Sequence, residues 1–100
     1  MIALKPIELE GHSFLATTVK LPKTTLLVIS NDVGYIMCGA LDVHLLNEKL
    51  QQRKVVAGRA VGVKTIDELL HAPLQLVTTE AENHGITEGM IGKDALLRMC

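Results

Sequence analysis

Aromatic side chains are nearly missing from this 100-residue chain: Phe14 and Tyr35 are the only two, and there is no Trp. Base-stacking platforms and aromatic cages are thereby all but excluded. A surplus of one charge is missing as well. Ten Lys/Arg against eleven Asp/Glu give a formal net charge of -1, so no basic row exists to neutralise phosphates and nucleic acid is not an expected partner. Cysteine is scarce. Cys38 and Cys100 cannot form a disulfide framework, and they lack metal-finger spacing. No apolar stretch reaches the roughly 18 residues of a membrane span, and Met1 to Glu10 lacks the basic segment and apolar run of a secretory signal. The expectation is a reduced, cytoplasmic protein without a membrane partner.

What is present is a globular composition, 48% apolar and 21% charged. A chain of this size buries roughly 65% of its extended surface, enough for one core, so residues 1–100 read as a single compact domain. The mean hydropathy of +0.30 is high for so small a domain. Either the core is rich, or an apolar face is covered by a second copy.

The first 38 residues read as an antiparallel meander. Ile2, Leu4, Ile7 and Leu9 surround Pro6, which suits an edge strand. Gly11-His12-Ser13 reads as a turn, and Phe14 to Leu21 alternates with β-branched residues. After Pro22-Lys23-Thr24, the run Thr25 to Ser30 suits a central strand buried on both faces. Asn31-Asp32-Val33-Gly34 is a turn signal before the short strand Tyr35 to Cys38. The period then changes to that of a helix over Ala40 to Lys54, through Leu41, Leu45 and Leu50.

Val55 to Val63 returns to strand. One of its faces carries Val56, Gly58, Ala60 and Gly62, small enough to admit a helix, another backbone or a ligand. Thr65-Ile66-Asp67-Glu68 is a capping box opening a short helix to Leu70 or His71. Pro73 fits the first position of another helix, through Leu74, Val77 and Ala81, with Gly85 as its left-handed cap. Lys93 to Met99 reads as a terminal helix with Ala95, Leu96 and Met99 inward. Strands first and helices later argue α+β: a mainly antiparallel sheet with three to four helices packed on it.

Chemistry concentrates around Cys38. With Gly39 as a helix N-cap, Cys38 would lie beside unsatisfied N–H groups that favour a thiolate, and Asp42 would sit in the first turn. The alternative is a small buried hydrophobe ending a strand. Arg59 stands among Val and Ala on its strand face. It either pairs with Asp32 or Asp42 as a strut, or serves as a bidentate anchor for a carboxylate or phosphate. The histidines His12, His44, His71 and His84 show no metal-ligand spacing, so no metal is expected.

The runs Asn31 to Asp42, Leu45 to Asn47, Val56 to Val63 and Thr65 to Leu70 closely resemble the YunC-like family of small bacterial and archaeal proteins, a domain of unknown function. The likeness extends over essentially the whole chain, including Gly89-Met90-Ile91-Gly92. It implies a compact α+β domain in a cytoplasmic microbial protein, and it supplies no reaction, substrate or cofactor.

Two function classes follow. One is a binding domain, either homo-oligomeric or holding a small anionic ligand through Arg59, Asp32, Asp42 and Gly39. The other is a thiol-dependent enzyme with Cys38 as nucleophile and Arg59 as anion anchor.

Overall fold

A computed structural model describes residues 2–22, 24–38 and 55–99. The expected helix over Ala40 to Lys54, together with Gly39, Asp42, His44 and Cys100, lies outside the described residues. The N-terminal half is the meander that the alternation predicts. Strands β1 (Ile2–Leu9), β2 (His12–Leu21), β3 (Thr24–Ser30) and β4 (Gly34–Met37) each pair antiparallel with the next. Leu9 pairs with His12, so the first turn is Glu10-Gly11 and not Gly11 to Ser13. Both residues have positive φ, 50° and 84°, as a two-residue turn matched to strand twist requires.

Strand β5 (Val56–Arg59) joins β4 in parallel, and β6 (Leu76–Val77) closes the order β1-β2-β3-β4-β5-β6. The strand expected over Val55 to Val63 is shorter because Gly62 turns the chain at φ 76°. Gly34 lies opposite Val56, where a Cβ would run into the Val56 carbonyl oxygen. Gly58 meets the side chain of Leu74, whose Cδ1 would be 2.7 Å from an added Cβ. At Gly58 the small-residue face therefore admits a leucine side chain, and the helical segment Thr79–Asn83 also lies against this strand.

Among the described residues there are three helices: α1 (Ile66–His71), α2 (Thr79–Asn83) and α3 (Gly92–Leu97). Helix α1 begins as the capping box predicts, with Glu68 N–H donating to Thr65 Oγ1 at 3.1 Å. The return bond lands one residue earlier: Glu68 Oε1 accepts from Lys64 N–H at 2.7 Å. Helix α3 turns Ala95 and Leu96 inward, with Met99 buried just beyond it. No helix among the described residues is long and apolar enough to cross a membrane.

The helix expected from Pro73 forms only in its second half, with Gly85 beyond it at φ 83°. Pro73 bridges to Ile91, Leu74 N–H donates to Met90 O at 2.8 Å, and Gln75 N–H donates to Arg59 O at 2.7 Å. These backbone groups are committed to the sheet and its flank, and tertiary pairing outweighs the apolar spacing. The helix starts only at Thr78, its N-cap. The buried Thr78 hydroxyl accepts from Ala57 N–H at 3.1 Å and Ala81 N–H at 3.2 Å, and donates to Val55 O at 2.6 Å. One side chain thus ties β5 to α2.

The core lies between the sheet's inner face and the helices, with Leu27, Ile29, Ile36, Leu69, Leu74 and Leu96 essentially inaccessible. Thr78→Ala is expected to lower the unfolding free energy by about 2 kcal/mol, since it strands buried backbone groups and removes a cap. Thr87→Ala, at an exposed position, should stay within about 0.5 kcal/mol. Urea unfolding of both variants checks the difference.

Candidate functional site

The turn before β4 is built by one side chain. Asn31 Oδ1 accepts from Val33 N–H at 2.9 Å and Gly34 N–H at 3.1 Å, while its Nδ2 donates to Met99 O at 3.2 Å. This closed Asx turn fixes the start of β4 and presents Asp32 to solvent at its tip. Strand β4 then delivers Met37 beside Arg59 in the parallel register. Asp32 and Arg59 consequently sit at opposite ends of β4. The three residue steps from Gly34 to Met37 alone separate them by about 10 Å, so Asp32 is not the partner of Arg59.

Side-chain alternation separates Cys38 from Arg59 as well. Met37 and Arg59 are cross-strand partners and share the outer face of the sheet. Cys38, the next residue, belongs to the inner core cluster. Its side chain is 6% exposed. Leu27 N–H points at Sγ from 3.4 Å, and the thiol lies 3.8 Å from Thr25 O. The thiol is a core group ending β4, and the joint Cys38–Arg59 site is not assembled. Arg59 is half-buried, its Nε is buried, and Met37 and Leu76 are its strand neighbours.

Asp32 belongs to a different feature. A cleft of about 730 Å³ opens at the turn end of the sheet, where His12 and Ser13 of β2 face Ser30, Asn31 and Asp32. Phe14 and Met99 contribute apolar floor. Sequence reading missed this grouping because its residues come from the start of β2, the turn after β3 and the segment beyond α3.

The outer face is the larger feature. The register puts Ile2, Leu4 and Pro6 of β1 on the same face as Val19, Thr17 and Leu15 of β2. That face continues through Leu26 and Val28 to Met37 and Tyr35. At the β4–β5 end it is closed: Ala57 is fully buried among Tyr35, Met37, Val55 and Leu76. At the β1–β2 end it is open, with Ile2 67% and Leu4 63% exposed. Burial pushes the Tyr35 phenol above its ordinary value of 10.0, because desolvation disfavours the phenolate.

Comparison with known proteins agrees with this architecture. Residues 37–99 match the domain of unknown function DUF1805. The chain is 64% identical over 99 residues to the uncharacterized protein YunC of Bacillus subtilis (strain 168), covering 99% of this chain and 98% of that one. It is also similar to the crystal structure of a protein of unknown function from Thermoplasma acidophilum. There the TM-score is 0.89 at 29% identity, over 100% of this chain and 94% of the other.

Two outcomes are expected from this geometry. In a Cys100→Ser background, Cys38 should resist alkylation in the native state and react at the rate of an ordinary thiol once unfolded. Rapid native labelling would show that the thiol is accessible. Tyr35 is the single tyrosine and Trp is absent, so phenolate absorbance reports this residue alone. Its raised pKa means that the folded state keeps a proton the unfolded state loses. Stability present below pH 10 should therefore fall as pH rises through the folded midpoint. Alkaline unfolding of wild type and Tyr35→Phe tests this, the variant showing the shallower decline.

Proposed function

The chain belongs to the DUF1805 family of YunC-like proteins, and on that premise we propose that it is a cytoplasmic, homo-oligomeric interaction domain. One observation carries the reading. Strand β1 is eight residues long and mostly apolar, yet none of its residues is buried. The strand is the edge of a six-stranded sheet, and a sheet is stabilised by cover on its hydrophobic face. Here the core takes in Phe14 and Ala16 on the inner face of β2, while Ile2 and Leu4 on the outer face of β1 stand in solvent. Contiguous exposed apolar surface of this kind marks an interaction site.

The thiol-dependent enzyme gains nothing from the geometry, since Cys38 is buried and Arg59 stands on the other face of the sheet. A small anionic ligand at Arg59 would lack Asp32 as a companion. A cytoplasmic setting accords with the free thiol of Cys38. Sedimentation velocity on the full chain tests the reading. A dimer or larger species should persist at low micromolar concentration, and a strict monomer there would overturn it.

A further inference from the structure

We propose that the occupant of the open β1–β2 surface is a second copy of this chain, packed sheet face against sheet face through the outer side of β1, β2 and β3. This rests on the self-association proposed above and names its surface. The outer side differs from the other routes of association in three respects.

The first is charge. Among the described residues paired in the sheet, the outer positions carry only Glu8 and Arg59 as charged groups. Glu8 lies at the turn end of β1 and Arg59 four strands away. A two-fold interface brings each patch onto its own image. A surface of Ile2, Leu4, Leu15, Val19 and Leu21 meets that image without like-charge repulsion. The formal net charge of -1 adds little repulsion between copies.

The second is the edge. Strand β1 is a sheet edge, and edge-to-edge pairing is the other way for two copies to join. Pro6 pairs with Leu15 inside the strand. Having no N–H, it turns its nitrogen away from β2, so the free edge lacks a donor at its centre and carries a ring there. The edge is guarded, and the face is not.

The third is size. Three strands about 4.8 Å apart, with eight residues at about 3.4 Å each, give a footprint on the order of 400 Å² per copy. That is half of the roughly 800 Å² per partner of a standard interface, so the contact belongs to the small end of the range. Sheets packed face to face sit ~10 Å apart with their inner side chains interdigitated. The groove on the other side of the hairpin, about 360 Å³ between β1–β2 and α1, carries Lys5 and Asp67, so it is a poorer match to an apolar image.

The test is a paired charge substitution at an exposed position. Leu4→Glu should shift the wild-type oligomer to monomer in sedimentation velocity, raising the dissociation constant at least 100-fold. An equimolar mixture of Leu4→Glu and Leu4→Lys chains should reassociate. A wild-type oligomer with Leu4→Glu unchanged in size would overturn the face assignment while leaving self-association standing. A wild-type monomer would overturn both. Leu4→Cys in the Cys100→Ser background gives a gentler measurement, with alkylation expected to slow at least tenfold from dilute to concentrated protein. A rate independent of concentration would overturn the face assignment.

Discussion

The parallel pairing of β4 with β5 is the constraint on which the rest of the molecule depends. Among the described residues it is the one strand-pairing seam between the antiparallel meander and the C-terminal elements, and β4 has only four residues with which to make it. Such a seam holds when the backbones approach without obstruction. Gly34 removes the one Cβ that would strike the Val56 carbonyl. Beyond the strand, Ala60 N–H donates to Met37 O at 3.0 Å and extends the pairing. On the far side of β5 the Thr78 hydroxyl takes the Ala57 N–H and gives its proton to Val55 O. Thus β5 is fixed from both flanks, and α2 starts where the second flank ends. The Asn31 turn adds a tie from the same seam to Met99 at the end of the chain.

That seam also decides which side chains share a surface. Neighbours along a strand face opposite ways, and a one-residue slip would exchange the faces. With Met37 opposite Arg59, Arg59 goes outward and Cys38 inward. A nucleophile and an anion anchor that are close in the topology are thereby divided by the thickness of a sheet. The same parity places Ile2 and Leu4 of β1 with Leu15, Val19 and Leu21 of β2 on the outer side, while Ile7, Leu9, Phe14 and Ala16 face the core. Chemistry that needs convergence of unlike groups is disfavoured, while chemistry that needs a continuous surface is favoured.

Much of this fold was legible in the chain. Alternation in Phe14 to Leu21, the turn at Asn31 to Gly34 and the cap at Thr65 are local signals, and each led to the right element. Elements set by partners far along the chain were not legible. Pro73 to Val77 carries a helical spacing, yet Arg59 and Met90 claim its backbone. Thr78 reads as a poor helix former because its hydroxyl competes for backbone groups, and that competition is its role as N-cap and strut. The site suffered the same limit. Linear proximity suggested that Asp32, Cys38 and Arg59 form one constellation, whereas register and parity send them to an exposed turn, the core and the outer face.

The high mean hydropathy of +0.30 divides between a rich core and an exposed apolar face. From β3 onward the inner positions are filled by a core whose largest members have lost all contact with water. Over β1 only Ile7 and Leu9 rest against that core, and Ile2 and Leu4 stay in solvent, although Lys5 and Pro6 fit the strand as an edge. A chain guarded only against aggregation would break that surface with charge, as it does on the exposed face of α1, where Asp67 and Glu68 sit in the first turn. On the outer face of β1 charge comes only at Glu8, the strand's end. A protected edge beside an unprotected face is what sheet-to-sheet association requires, because the edge must not pair while the face must remain free to pack.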